Sequence, residues 1–215
     1  MTEQSFVEPG AGSTPAPAGW QAQKSAATRQ LIIDAAIACF VQLGYARTTT
    51  TEIAKRARLS RGAMLHHFPS KIDIVKAAVD YLHAKRLRAF RKAMAQDPPG
   101  GDHIRQGVEN YWAHVKHPLF VAFFELAVAA RTDPELARIL RPAQEAFEKE
   151  WERTCLELFP EWRGKGKRFD LAFDLSRYLL EGMALSFLTH KETKRDRRLL
   201  QYLVDKLHEL VDAPE

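Results

Sequence analysis

Arg61, Gly62, Ala63, Leu65, His66 and His67 fall within seven residues, between a serine and a proline. Arginine can grip a guanine edge through two parallel N–H bonds, and imidazole can donate or accept at the same edges. Side chains used this way need a rigid support. Ser60 is a preferred N-cap residue, and Met64 and Phe68, four apart, give the following helix one buried edge. Arg61, Gly62, Leu65 and His66 lie beside that edge, on a face free to meet another molecule. A helix of about two turns is not stable alone in water and must be propped by its neighbours. The prop is legible just upstream. Thr49 and Glu52 have capping-box spacing, and Ile53, Ala54 and Ala57 form an apolar stripe at helical period. Two short helices joined by a three-residue turn, the second supported by the first, match the arrangement that inserts its second helix into a DNA major groove.

The flanks fit the same arrangement. Leu31, Ile32, Ala35, Ala36, Cys39, Phe40 and Leu43 make a buried stripe on a preceding helix, which Gly44 should stop as a left-handed terminal residue. Pro69 ends the reading helix, and Ser70 with Asp73 opens a long helix after it. Taken together, the A-x-x-x-F-x-x-x-GY run ending at Tyr45, the Thr pair before the second helix, its Ile-Ala, and GAMLHHFPSK resemble tetracycline-repressor (TetR) type bacterial regulators. The likeness spans residues 29–71, roughly a fifth of the chain. It implies DNA contacts by Thr49, Thr50, Ser60, Arg61, Gly62, Ala63, Leu65, His66, His67 and Lys71, with Thr49 and Lys71 on the phosphate backbone. Two positions depart from the family pattern. Arg58 stands where glycine is usual in the turn. Leu65 stands where tyrosine is usual, and it suits an apolar contact such as a thymine methyl.

Charge is distributed accordingly. The 215 residues carry a net +5, but residues 20–71 hold eight Lys/Arg against two Asp/Glu, whereas residues 102–162 hold seven against eleven. A chain that is 46% hydrophobic and 27% charged has ample material for a core. Cys39 and Cys155, on separate helical patterns, read as small buried hydrophobes of a reducing cytoplasm, not as a disulfide. Residues 1–23, rich in Pro, Ala, Gly and Thr, read as a disordered tail. No signal peptide is evident, and the apolar run 118–130 is too short to span a membrane.

Beyond residue 71 the pattern is helical throughout. Breaks fall at Asp97-Pro98-Pro99-Gly100-Gly101, before Pro118, at Thr132-Asp133-Pro134 and at the basic loop 163–167, and Pro142 should kink or split the helix it occupies. The expected fold is all-α, about nine helices, with a helix-turn-helix domain over residues 24–71 and a helical ligand-binding and dimerisation domain over 72–215. The resemblance implies a homodimer joined by the last two helices, through residues such as Leu175, Leu179, Gly182, Met183, Leu203 and Leu207. Two reading helices about one DNA turn (~34 Å) apart would then read a palindrome. It also implies a pocket for an unknown small-molecule effector, for which Trp112, His117, Phe120, Phe124, Arg131, Phe147, Trp151 and Tyr178 are the candidates, with His190 as a further polar group. His114 and His117 have a spacing that could bind metal, but nothing nearby completes a site, so no metal or other cofactor is expected. No nucleophile elbow, phosphate loop, dinucleotide fingerprint or H-E-x-x-H occurs. The reading is a cytoplasmic, effector-released repressor on double-stranded operator DNA. An activator of the same fold, and an all-helical small-molecule enzyme, are the alternatives.

Overall fold

The computed structural model describes residues 18–96 and 100–213, and within them every regular element is a helix. In order these are α1 (Ala18–Arg47), α2 (Thr50–Ala57), α3 (Arg61–His67), α4 (Lys71–Met94), α5 (His103–Val115), α6 (Pro118–Ala130), α7 (Pro134–Leu158), a 3₁₀ turn at Pro160–Trp162, α8 (Lys167–Ser186) and α9 (Lys194–Asp212).

Local chemistry explains the boundaries. Thr49 Oγ1 accepts from the Glu52 N–H at 3.2 Å, so the expected cap of α2 forms, though only in this direction. Ser60 Oγ accepts from the Ala63 N–H at 3.1 Å and starts α3. Ser70 and Asp73 make a full reciprocal box at the start of α4. Thr193 and Asp196 do the same for α9. Asp133 Oδ1 accepts from the N–H groups of both Glu135 and Leu136 ahead of the first-turn proline of α7.

Three expectations need correction. The tail was expected to reach residue 23, but α1 begins at Ala18, because Gln, Ala and Lys in residues 18–24 are good helix formers that simply extend an existing helix. Residues 1–17 lie outside the described part. Gly44 does interrupt α1, with a positive φ and a kink, but its ψ is not that of a left-handed cap. Its φ of 75° and ψ of 166° lie in a region open only to glycine, and one further helical turn follows to Arg47. Pro142 does not split α7, which runs from Pro134 to Leu158 across it.

The packing does not follow the expected division at residue 71. One core joins Ile32, Phe40, Ile53, Met64 and Phe68 to Ile74, Val79 and Leu82 of α4, and also to Ala122 and Leu126 of α6 and Leu136 of α7. The other gathers the second half of α4 with α5, α7, α8 and α9 around Phe90, Tyr111, Trp151 and Leu203. Helix α4 is therefore the shared beam, with the buried polar residues His83 and Arg86 where the two cores meet. By length and apolarity residues Gly19–Arg47 could cross a membrane, but the apolar stripe of that helix is the first core itself.

Candidate nucleic-acid interface and core cavity

Met64 and Phe68 are fully enclosed, and they fix the roll of α3 about its own axis. With those two residues turned inward, Arg61, Gly62, Ala63 and His66 are exposed, and Leu65 and His67 are half-buried beside them. Arg29 of α1 stacks on the Phe68 ring at 4.0 Å and donates to the His67 carbonyl at 2.6 Å, so a basic side chain satisfies the C-terminal end of α3. Arg58 occupies the turn with φ 57° and ψ 39°, the left-handed region, and its N–H closes the end of α2. The backbone therefore takes the shape glycine would give, carried by arginine instead. Thr49, at the N-cap, is exposed and Thr50 is half-buried.

Lys71 departs from the expected phosphate role. Its ammonium donates to the Tyr45 carbonyl at 2.9 Å and lies 3.9 Å from the centre of the Tyr45 ring, and burial lowers its pKa. The Tyr45 hydroxyl donates in turn to Asp133 at 3.1 Å, and burial together with that carboxylate pushes the phenol up to about 12. The Tyr45 N–H reaches Glu125 of α6 at 3.4 Å, and a Cβ on Gly44 would stand 3.0 Å from the same carboxylate. The end of α1, the start of α4 and the α6–α7 corner thus meet at one polar node directly behind the reading helices.

Deeper in, α4, α5, α7 and α8 border a cavity of about 80 Å³ lined by Phe90, Tyr111, Trp151, Phe159, Trp162, Phe169, Phe173 and Arg177, among others. Gly107 is part of its wall because a Cβ there would come within 2.5 Å of the Phe159 ring. Beside the cavity lies a buried polar cluster. Arg86, 3% exposed, packs against the rings of Phe147 and Phe120 at 4.5 and 5.0 Å. Its Nε donates to His114 at 3.3 Å and its Nη2 lies 3.7 Å from Glu181. Tyr111 donates to Glu181 at 2.8 Å. Burial, reinforced by the Arg86 charge, pushes His114 down to about 3 and His83 down to about 4, so both imidazoles are neutral at pH 7.

Set against known proteins, residues 32–78 match the family described as bacterial regulatory proteins, tetR family. A similar curated protein is the HTH-type transcriptional regulator CymR of Pseudomonas putida, 27% identical over 186 residues, covering 83% of this chain and 88% of that one. Residues 32–78 therefore carry the N-terminal module of the TetR family. Another regulator of Pseudomonas putida, TtgR, is 40% identical over 70 residues, a third of each chain. Among solved structures, a putative TetR-family transcriptional regulator from Mesorhizobium loti superposes with a TM-score of 0.67 at 17% identity, covering 87% of this chain and 96% of the other. The multidrug binding protein EbrR, crystallised with imidazole, superposes with a TM-score of 0.63 at 19% identity and the same coverage.

On this TetR-family frame the expected pocket residues do not converge. Trp151 lines the cavity, but the others lie elsewhere. Trp112 packs edge-on against Phe187 at 5.3 Å. Phe147 stacks on His83 at 4.4 Å, and Phe120 pairs with Phe124 at 4.6 Å. His117 is the exposed N-cap of α6, its Nδ1 accepting from the Leu119 N–H, and Arg131 and His190 are exposed. Tyr178 is 61% exposed on the outer face of α8. Helical period assigns a residue to a face of its own helix, but it does not say which neighbour that face meets. The same reason corrects the dimer face. Met183, Leu203 and Leu207 are buried within the monomer, whereas Leu175 and Leu179 are half-buried and Gly182 is exposed. The apolar residues left uncovered on α8 and α9 are Leu171, Tyr178, Leu185, Leu199 and Tyr202. Of these, Leu171, Tyr178 and Leu185 recur at every seventh residue and form one stripe along α8. Among the described residues no group of three His, Cys, Asp or Glu is placed to hold a metal.

Proposed function

We propose that this TetR-family transcriptional regulator binds a palindromic DNA operator as a homodimer and acts as a repressor released by a small molecule in the core cavity. The observation that carries this reading is the seating of α3. Met64 and Phe68 are locked into the core, and Arg61 with His66 is presented outward from a capped two-turn helix. Arg61 stands at the helix start, where side chains reach base edges, with Thr49, Thr50, Ser60, Gly62, Ala63, Leu65 and His67 around the same surface. The uncovered apolar face of α8 and α9 supports the two-fold partner, and a partner sets two reading helices on one DNA face. The effector acts through α4. This helix lines the cavity at Phe90 and begins, at Lys71, in the polar node behind α3, so tilting it changes the spacing of the two reading helices. Such coupling needs a difference of only about 1–3 kcal/mol between the DNA-competent and incompetent states. The regulator works in the cytoplasm, beside the chromosome.

The test is titration of the dimer, confirmed by sedimentation, against its operator and every single-base variant of it. Arg61→Ala should cost about 1–3 kcal/mol and flatten discrimination at one position per half-site. Unchanged discrimination at every position would remove α3 as the reader. Effector and operator must also weaken each other by the same factor, and equal effector affinity with and without operator would refute the coupling.

A further inference from the structure

Residues 191–198, at the corner between α8 and α9, hold five Lys/Arg against two Asp/Glu. Both carboxylates are engaged. Glu192 lies 3.2 Å from the Lys116 ammonium, and Asp196 forms the capping box of α9 with Thr193, beside Arg195. Among the described residues no side chain pairs with Lys191, Lys194, Arg197 or Arg198, and all four are exposed. Cations elsewhere on this half of the protein behave differently: Arg91, Arg105, Arg153 and Lys206 each hold a carboxylate. Lys194 and Arg197 also stand in the first turn of α9, at the positive end of its dipole, where a cation is disfavoured. These four charges repel one another and the helix end, and nothing within the chain offsets them.

Their position indicates what does. Phe187, at the end of α8, packs against Trp112 at 5.3 Å, and Glu192 holds Lys116, so the corner sits on the C-terminal end of α5. One residue further, His117 caps α6, which completes the core of the first three helices. The corner therefore lies at the end of the second core nearest the reading helices. The basic loop 163–167 lies at the opposite end, where Arg168 donates to the Ala213 carbonyl past the far terminus of α9. The two basic segments are thus separated by the 19 residues of α9, about 28 Å at 1.5 Å per residue. Leu185, Leu199 and Tyr202, which flank the corner, belong to the uncovered apolar face assigned above to the two-fold partner. Across that axis the two corners stand side by side, between the two reading helices.

We propose that the paired α8–α9 corners form a second, sequence-independent DNA-binding surface, in which Lys191, Lys194, Arg197 and Arg198 of both protomers attract the phosphates between the two half-sites. This rests on the operator reading above and adds to it a surface outside the helix-turn-helix. Long Lys and Arg stems, and a screening length of about 10 Å at 0.1 M salt, let the charges act across a water-filled gap. They contribute affinity and association rate, and leave base reading to α3.

The test uses the full chain, an operator selected by the unaltered protein from a pool of random duplexes, and a random duplex of equal length. In the quadruple variant Lys191→Gln, Lys194→Gln, Arg197→Gln, Arg198→Gln, affinity for both should fall at low salt. Their ratio should stay within about twofold, because phosphates carry no sequence. The slope of log affinity against log salt should be shallower by about two, one counterion per subunit, so the loss at about 0.05 M salt should be about a hundredfold larger than at about 0.5 M. Either pair alone, Lys191 with Lys194 or Arg197 with Arg198, should give about half the shift, and serves should the quadruple variant not fold. Lys165→Gln with Lys167→Gln, which removes charge at the far end, should leave the slope unchanged. Neutral methylphosphonate linkages between the half-sites should weaken binding by the unaltered protein and leave the quadruple variant unaffected. An unchanged slope in the quadruple variant, an equal shift from the far-end pair, or equal sensitivity of both proteins to the neutral linkages overturns the proposal and leaves operator reading by α3 standing. Failure of the unaltered protein to select any duplex overturns both.

Discussion

Arg58→Gly should stabilise this protein, and the size of the gain can be worked from its backbone. Arg58 sits at φ 57° and ψ 39°, close to the centre of the left-handed region, where an L-residue pays about 1–2 kcal/mol. Glycine removes that strain but gives the unfolded chain more freedom, which returns about 0.5–1 kcal/mol. The arginine charge, exposed at the C-terminus of α2, contributes about 0.3 kcal/mol through the helix dipole, and this too is lost. The net expectation is a gain of about 0.5 kcal/mol, or a rise of about 1–2 °C in Tm for a chain of this length. Urea unfolding should show a higher midpoint at unchanged slope. Arg58→Asn, which tolerates the left-handed region, should fall between glycine and the parent, and Arg58→Lys should match the parent because it keeps both strain and charge. The N–H of residue 58 still closes α2 in every variant, so the angle between α2 and α3, and with it base discrimination, should not change. If glycine lowers the midpoint, or shifts it no differently from lysine, the backbone reasoning is wrong.

Lys71→Ala should cost about 1–2 kcal/mol of stability, since it removes both the bond to the Tyr45 carbonyl and the contact with its ring. Its salt dependence of operator binding should be unchanged, whereas a slope shallower by about one counterion per subunit would return Lys71 to the phosphate backbone. Because His83 and His114 have folded pKa values of about 4 and about 3, below the unfolded value of 6.5, only the unfolded chain takes up their protons as the pH falls from 6.5. Stability should therefore be full above pH 6.5 and decline by roughly 1.4 kcal/mol per pH unit per histidine down to about pH 4, with His83→Asn halving the slope in pH-dependent denaturation. Gly107→Ala should displace the Phe159 ring, because the new Cβ would lie 2.5 Å from it, and should weaken binding of an effector held in the core cavity by about tenfold or more. Unaltered ligand affinity in that variant would place the site elsewhere.

What residues 48–71 determined by themselves was the reading unit. Caps at Thr49, Ser60 and Ser70, the Met64–Phe68 edge and the proline at 69 are interactions within a few residues, so their spacing carries the geometry without help from the rest of the chain. The remaining helices were legible for the same reason, from Asp133-Pro134 at the start of α7 to Thr193 at the start of α9. Tertiary structure alone decided what lies between helices. It decided that α6 and α7 complete the core of the first three helices, and that Lys71 turns inward to Tyr45. It decided too that Leu203 and Leu207 belong to the monomer while Tyr178 faces outward. It placed the cavity beside Phe90 and Trp162 instead of at Phe120 and Phe147, against which Arg86 and His83 pack. The physical reason is that an apolar stripe encodes the wish to be buried but not the partner that buries it. Which of several aromatic faces closes tightly and which leaves a gap depends on axis angles and side-chain volumes summed over four helices, and no single stretch of sequence contains that sum.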